Sequence, residues 1–224
     1  MDNAIAEVLD IKIKKTLENL KKNNMEPYCC ENAEQARKLF KTLVNPGDTV
    51  SHGGSETLKQ LGITEMLKNG DYNYLDRNRP GITRDEVEEI YRKTYFADVY
   101  LTSSNAVTEN GELYNVDGNS NRVSAILYGP KSVVVFVGVN KLVRDIDEAI
   151  TRVKAIAAPA NTLRLRCDTP CSKTGECISL KKDKAFLTDG CACEQRICCN
   201  YTVSAQQRQK SRIKVVIIKE NLGY

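Results

Sequence analysis

Segments with strand and helix character alternate through the first hundred residues, and this constrains the fold more than any other feature of the sequence. Residues 3–23 place apolar side chains at spacings of three and four, which predicts an amphipathic helix. A strand over "MEPYCC" follows, in which Cys29 and Cys30 are expected to pack as small apolar groups. A helix capped by Asn32 comes next. Such alternation predicts a parallel sheet covered by helices.

The same pattern continues towards residue 100. "PGDTVSHGGSETL" predicts a turn, a strand, a glycine turn and a helix that begins near Ser55. "YNYLD" predicts another strand, and Thr83 and Glu86 have the spacing of a capping box at the start of the next helix. These segments extend the predicted α/β arrangement.

The second half of the chain departs from strict alternation. Asn110-Gly111 predicts a hairpin, and "RVSAILYGPKSVVVFVG" predicts two strands about a turn, the second apolar enough for the sheet centre. Residues 142–157 predict a helix ended by Pro159, and "RIKVVIIKE" predicts a last strand. We therefore expect one α/β domain over residues 1–224, with a Cys-rich subregion, 162–205, inserted before the last strand.

Composition bounds the class of protein and its compartment. The 224 residues, 41% hydrophobic and 28% charged, can form one core, or a core plus an appended subdomain. The first 24 residues lack an apolar signal region, and no apolar stretch reaches 18 residues, so we expect a cytoplasmic protein with no membrane partner. Thiols stay reduced in that compartment, and nine is an odd number of cysteines, so a disulfide framework is not expected.

Cysteines cluster near the C-terminus of the sequence. Six of the nine lie within residues 169–200, and Cys167 lies just before them. Residues 162–212 carry ten Lys or Arg against five Asp or Glu, although the whole chain has a formal charge of only +4. The basic surroundings could hold thiolates or an anion, or could be a solvated surface.

A glycine turn between a strand and a helix is the first candidate ligand site. In "SHGGSETL", Gly53 and Gly54 let backbone N–H groups approach an anion, while Ser55 and Thr57 add hydroxyl donors. Many helices simply begin with a glycine turn capped by Ser, so both interpretations stay open. His52, the only histidine, is either a structural hydrogen-bonding group or a catalytic base.

Polar residues after the next strand form the second candidate. Asn105 comes where a parallel strand should end, and a loop of further polar residues follows at Asp117, Gly118, Asn119, Asn121 and Arg122. Ligands of open α/β sheets collect at the carboxyl ends of strands, so these groups could share one pocket with the glycine turn. The sequence contains no Ser-His-Asp order, no Walker lysine motif and no GxGxxG.

Several of these segments, in order, resemble the LUD-domain family, which is associated with lactate utilisation. They are "SHGGSETL", "LTSSNAVTENGELYNVDGNSNRVSAILYGPKSVVVFVGVNKLV", "TPCSKTGEC", "RIC" and the terminal "NLGY". The resemblance implies a fold similar to that of ribose-5-phosphate isomerase and CoA transferases, a Rossmann-like three-layer α/β/α sandwich with a mostly parallel sheet. It also implies a role in, or accessory to, lactate oxidation, with other lactate-oxidation proteins as possible partners.

The resemblance also singles out two cysteine pairs. Cys171 and Cys177 match the first pair of the family pattern, and Cys191 and Cys198 match the second, with an insertion between them. Four thiolates suit zinc or an iron-sulfur cluster. Catalytic or redox thiols and unligated structural cysteines remain alternatives, and the spare cysteines, Cys167, Cys193 and Cys199, include possible replacement ligands.

The leading functional prediction is a LUD-domain protein with a pocket for a small anionic metabolite and a cysteine metal site. An isomerase or CoA-transferase-like enzyme for a phosphorylated or CoA-linked small molecule is the alternative. The candidate acid-base residues of such an enzyme are Glu56, Glu109 and Asp117. Each of them could equally be a turn or capping residue. A basic, Cys-rich nucleic-acid module is a weaker alternative because the segment lacks interleaved aromatic residues.

Overall fold

A six-stranded parallel sheet forms the centre of the computed structural model, which describes residues 3–224. Its strands, in chain order, are β1 (Glu26–Cys30), β2 (Thr49–His52), β3 (Asn73–Tyr74), β4 (Val99–Thr102), β7 (Ser132–Gly138) and β10 (Ile213–Ile218). They are arranged in the order β1-β10-β7-β4-β2-β3, and every neighbouring pair is parallel. The carboxyl ends of all six strands therefore meet at one edge.

A smaller, mixed sheet lies in the second half of the chain. Its strands are β5 (Ala106–Thr108), β6 (Leu113–Asp117), β8 (Leu142–Val143) and β9 (Asn200–Ser204), in the order β8-β5-β6-β9. β5 and β6 form the antiparallel hairpin predicted from Asn110-Gly111, and β9 pairs with β6 in register from Leu113↔Ser204 to Asp117↔Asn200. The Cys-rich segment thus returns to the body of the protein through β9.

Helices cover both faces of the large sheet. They are α1 (Asn3–Lys22), α2 (Ala33–Leu43), α3 (Glu56–Gln60), α4 (Ile63–Asn69), α5 (Arg84–Lys93), α6 (Asn121–Leu127), α7 (Ile146–Arg152), α8 (Ala158–Leu165) and α9 (Pro170–Thr174). The Asn32 cap of α2 and the Thr83–Glu86 capping box of α5 are both present, as predicted. None of the helices within residues 3–224 is long and apolar enough to cross a membrane.

The central strands β7 and β10 supply alternate side chains to two separate cores. Val134 and Phe136 pack with α2, α3 and α4 on one face, whereas Val133, Val135 and Val137 pack with α1 and α6 on the other. Successive strand residues point to opposite faces, so a strand buried on both faces must be apolar throughout. This explains the uninterrupted apolar run that placed β7 in the centre of the sheet.

Three local predictions were wrong. The first of the two strands predicted about Gly129-Pro130 is instead helix α6, because a short apolar run does not distinguish a strand from a buried helix.

The helix predicted over 142–157 begins only at Ile146 and does not end at Pro159. A π-helical turn, Val153–Ala157, joins α7 to α8, and Pro159 lies in the first turn of α8, where a missing N–H is tolerated. Cys29 is exposed, and only Cys30 packs in the core.

The hairpin turn is held against the last turns of α1 by short contacts. Asn19 Nδ2 donates to the Glu109 carbonyl at 2.8 Å, and Asn23 Nδ2 donates to the Gly111 carbonyl at 3.0 Å. Gly111 has φ +79°, and a Cβ there would lie 2.6 Å from the Leu20 nitrogen. Glycine is required here both for the left-handed backbone and for the approach of α1.

We expect Gly111→Ala to lower the free energy of unfolding by about 2–3 kcal/mol, because backbone strain adds to a clash with the backbone of α1. Gly47→Ala is the matched control: φ is +82°, but no atom lies within 4 Å of the added Cβ. The control should cost only about 1 kcal/mol. Equal losses in urea denaturation of the two variants would show that contact with α1 contributes nothing.

Candidate functional site

A polar cavity of about 580 Å³ lies at the carboxyl ends of the parallel strands. Its lining includes residues within three positions of the ends of four of them: Gly54 after β2, Arg77 after β3, Ser103 after β4 and Lys141 after β7. The terminal Tyr224, after β10, also lines it. This edge is where open parallel sheets bind ligands, and the volume is in the usual range for small-molecule sites.

The structure brings most of the predicted ligand-binding residues to this cavity. Those that line it are Gly54, Ser55, Asn105, Asp117, Gly118, Asn119, Asn121 and Arg122. The other two, Gly53 and Thr57, lie behind the lining. A Cβ on Gly53 would sit 2.9 Å from the Tyr100 hydroxyl, and buried Thr57 donates to the Leu222 carbonyl at 3.2 Å.

Arg122 is fully engaged within the cavity wall. A guanidinium has five N–H donors; four of them make hydrogen bonds to the protein here, and the fifth, on Nε, faces a carboxylate. Nε faces the Asp117 carboxylate at 3.2 Å, and the two terminal nitrogens donate at 2.6–3.1 Å to the Ser103 carbonyl, the Asn115 amide oxygen, the Asn105 amide oxygen and the Val116 carbonyl. Three predicted site residues, Asn105, Asp117 and Arg122, therefore bond to one another and shape the wall.

Lys141 is a cavity residue that the sequence reasoning missed. Its side chain is buried, with the residue only 3% exposed, and Nζ donates to Thr57 Oγ1 at 2.9 Å and to Ser103 Oγ at 3.0 Å. No carboxylate within residues 3–224 pairs with it. Burial chiefly, followed by the positive charges of Arg152 and Arg122, lowers the pKa of Lys141 to about 7. The sequence feature that could have identified Lys141 as a cavity residue is its position shortly after the apolar strand β7.

Arg77 is a second cation with an unused donor. Its Nε is buried and has no hydrogen-bond partner among residues 3–224, whereas Nη1 donates to the Tyr91 hydroxyl at 3.1 Å. A Cβ on Gly54 would lie 2.8 Å from Arg77 Nη2. Glycine at position 54 therefore lets the guanidinium lie close against the turn that follows β2.

His52 makes two short structural contacts away from the cavity. Nδ1 donates to the Gly53 carbonyl and Nε2 accepts from the Tyr74 hydroxyl, both at 2.6 Å. Burial lowers the pKa of the imidazole, which keeps it neutral. This geometry favours the structural interpretation of the single histidine over the catalytic one.

All four predicted metal-ligating cysteines line a second, much smaller cavity. Cys171, Cys177, Cys191 and Cys198 surround about 30 Å³, together with Lys154 and Arg196. Burial chiefly, then the proximity of Cys171 and Cys177, raises the pKa of the Cys198 thiol to about 12. Among residues 3–224, no three His, Cys, Asp or Glu side chains stand in positions to hold one metal ion. The sulfurs thus share a cavity but do not form a coordination sphere.

The two cavities share a wall. Val153, Ala158 and the stretch Arg196–Cys198 line both of them, and the π-helical turn runs along this partition. π-helical turns inside α-helices are rare and occur frequently at functional sites. The cysteine region therefore borders the larger cavity directly.

The parallel sheet with a polar cavity at its strand ends defines an α/β protein of the type that binds small ligands. A family model described as the LUD domain matches residues 13–218, so the chain belongs to the LUD-domain family, which is associated with lactate utilisation. A search of curated proteins found no match.

The solved structures that are similar to this chain include the following two. A DUF162 family protein from Deinococcus radiodurans has 12% sequence identity and a TM-score of 0.49, over 96% of this chain and 98% of that one. The eIF2B beta subunit from Chaetomium thermophilum has 17% identity and a TM-score of 0.36, over 55% of this chain and 42% of that one.

We expect Arg122→Lys to lower the free energy of unfolding by about 3 kcal/mol, because lysine leaves several buried acceptors without a donor. Arg144→Lys is the matched control, since Arg144 is exposed and contacts Asp145 at 2.7 Å; it should change stability by no more than about 0.5 kcal/mol. Chemical denaturation measures both, and amide exchange should quicken around Val116 in the first variant. A loss no larger than the control's would contradict the role of Arg122 in the wall.

Proposed function

We propose that this LUD-domain protein acts in, or accessory to, lactate utilisation by binding a small anionic metabolite in the strand-end cavity. The observation that carries the proposal is Lys141. An ammonium group taken out of water is costly unless an opposite charge compensates it, and Thr57 and Ser103 offer only hydroxyl dipoles. The carboxylate of a 2-hydroxy or 2-oxo acid would supply the missing charge.

The other cations around the cavity divide into those that shape it and those with donors to spare. All the donors of Arg122 are engaged, so its charge favours an anion without a direct contact. Lys141 has used two of its three N–H donors, and Arg77 lines the same cavity without a carboxylate partner among residues 3–224. We therefore assign Lys141 and Arg77 as the residues that contact the anion.

The size of the cavity favours a ligand larger than lactate, and this supports the alternative function predicted from the sequence. A volume of about 580 Å³ exceeds what a three-carbon acid fills and suits a ligand of drug-like size. The alternative function is an isomerase or CoA-transferase-like reaction on a phosphorylated or CoA-linked small molecule. Calorimetric titration with lactate, pyruvate, a sugar phosphate and a CoA thioester separates the two, because only the alternative predicts that the larger ligands bind more tightly.

We expect Lys141→Met to weaken binding of the tightest ligand of this panel at least about tenfold, because a charge-assisted hydrogen bond is lost. Lys131→Met, which removes an exposed lysine paired with Asp98, is the control and should bind normally. Unchanged affinity of Lys141→Met in the same calorimetric titrations would contradict the assignment.

The pH dependence gives a separate check. A bound anion favours the charged amine, so it raises the pKa of Lys141 above the free value of about 7. Affinity should be constant below pH 7 and should fall as pH rises above it, by up to tenfold per pH unit until the bound-state pKa is reached. Lys141→Arg stays charged, so its affinity should not vary over this range. A flat profile for the unsubstituted protein would contradict an anion contact by Lys141.

We also propose that the cysteine cavity holds zinc or an iron-sulfur cluster through Cys171, Cys177, Cys191 and Cys198. All four line one small cavity, and thiolate sulfur is the preferred donor for both groups. Two cations, Lys154 and Arg196, line the same cavity and would offset the negative charge of four thiolates. Lys154 Nζ donates to Ser179 Oγ at 3.0 Å and to the Asp189 carbonyl, so it is fixed at this place.

We expect protein purified without oxygen to contain metal, and Cys177→Ser to lose most of it and to loosen residues 167–200. Cys29→Ser, which changes an exposed cysteine on β1, is the control and should keep its metal. Elemental analysis and the absorption spectrum measure metal content and distinguish iron-sulfur from zinc. X-ray absorption should give Zn–S distances of about 2.3 Å for a zinc site. Anaerobic protein without metal would refute the proposal.

A further inference from the structure

Two sulfurs of the Cys-rich segment lie unusually close together. Cys191 Sγ and Cys193 Sγ are 3.1 Å apart, and both residues are partly exposed. Thiolates bound to the same zinc at about 2.3 Å would be about 3.8 Å apart in tetrahedral geometry. The observed separation is about 0.7 Å shorter than that spacing and about 1 Å longer than the roughly 2.05 Å of a disulfide bond. The two free thiols are therefore in direct contact, and they are closer together than two thiolates bound to one zinc ion would be.

Arg196 holds the Cys-Ala-Cys turn in this arrangement. Its Nη1 donates to the Cys191 carbonyl at 2.9 Å, and its backbone N–H donates to the Cys193 carbonyl at 3.2 Å. Nε donates to the Cys198 carbonyl at 2.7 Å, and Nη2 donates to the Tyr201 hydroxyl at 2.8 Å. The backbone and side chain of this one residue thus hold both ends of the turn, and the side chain also bonds to Tyr201 of β9, so the two sulfurs stay adjacent.

We propose that Cys191 and Cys193 form a redox-active dithiol that undergoes thiol–disulfide exchange with small-molecule disulfides. Cys193 is partly exposed and, unlike Cys191, does not line the cysteine cavity, so we assign it as the attacking sulfur. Its thiolate attacks one sulfur of the disulfide, a mixed disulfide forms and the first small thiolate leaves. The Cys191 thiolate then attacks the Cys193 sulfur, the intrachain disulfide forms and the second small thiolate leaves.

The exchange is balanced and reversible. The two cysteines lose two electrons, the small disulfide gains them, and the two cysteine protons pass to the two thiols released. A disulfide that closes over a single intervening residue, Ala192, is strained, and strained disulfides are easily reduced. An excess of the small thiol should therefore regenerate the dithiol.

Oxidation would also remove one sulfur from the cysteine cavity, because Cys191 is one of its four lining cysteines. This consequence rests on the proposed metal site, whereas the dithiol does not. An oxidised Cys191 has no thiolate to give to a metal, so oxidation should release metal held by the four cysteines. The two proposals can therefore fail separately.

The test uses the full chain, purified without oxygen, with a chelator-treated sample in parallel. Both are equilibrated with glutathione disulfide and glutathione at a series of ratios, quenched in acid, alkylated and mapped by mass spectrometry. We expect a Cys191–Cys193 disulfide as the main intrachain product in at least the chelator-treated sample, and its loss when glutathione is in excess. Cys191→Ser should stop at a glutathione adduct on Cys193, and Cys199→Ser, a neighbouring exposed cysteine, should behave as the unsubstituted protein.

Each other outcome decides against one proposal. Absence of the Cys191–Cys193 disulfide in both samples, or a different intrachain pair as the main product, overturns the dithiol. Formation of the disulfide with metal content unchanged supports the dithiol and removes Cys191 from the proposed metal ligands. Circular dichroism of each variant verifies folding. If Cys191→Ser is unfolded, the position of the adduct is read instead from Cys191→Ala, which also keeps Cys193.

Discussion

The insertion of β10 between β1 and β7 is the constraint on which the rest of the structure depends. The last strand of the chain completes the centre of the parallel sheet, so both cores remain incomplete until it pairs. The chain between β7 and β10 has to leave the sheet at one edge and re-enter it at the other, because the two strands are parallel. The helices that follow β7, the Cys-rich segment and β9 all belong to this connection. Its long path brings the cysteines beside the strand-end cavity.

Positive charge at the cavity serves two physically different purposes. Arg122 replaces water around buried backbone and amide oxygens, and its planar fork of five donors satisfies several loops at once. Lys141 is more deeply buried but has only hydroxyl partners, so its charge is not neutralised by the protein. A cation of the first kind stabilises the fold whether or not a ligand is present. A cation of the second kind destabilises the free protein, and an anion that binds to it stabilises the folded state.

Local signals in the sequence predicted most of the architecture. Local interactions form the helix caps at Asn32 and Thr83 and the hairpin at Asn110-Gly111. All the residues that make each of them lie within a few positions of each other, so a short stretch of sequence is enough to predict them. Helix α6 was misassigned because four or five apolar residues fit either period, and packing against Val133 and Val135 decides between them. The passage of the helix through Pro159 depends on a π-helical turn, for which the sequence offers no comparable local signal.

The candidate site was predictable in position but not in chemistry. Asn105 and the loop at 117–122 were expected at the cavity because the ends of parallel strands coincide, and that is a property of topology alone. Which groups remain free there depends on hydrogen bonds between residues far apart in sequence, such as Lys141 to Thr57 and to Ser103. A residue type and its spacing cannot reveal such bonds. Lys141 and Arg77 were therefore missed, although both follow strands of the sheet.

The Cys-rich segment lies directly against the strand-end cavity, because residues of this segment line the partition between the two cavities. Arg196 donates to Cys198 and Tyr201 on one side and lines the strand-end cavity on the other. Closing the cysteines around a metal, or joining Cys191 to Cys193, would move the carbonyls that this guanidinium holds. The stretch Arg196–Cys198 lines both cavities, and packed interiors transmit such displacements because they contain little free volume. A change in the state of the thiols is therefore expected to alter the shape of the larger cavity.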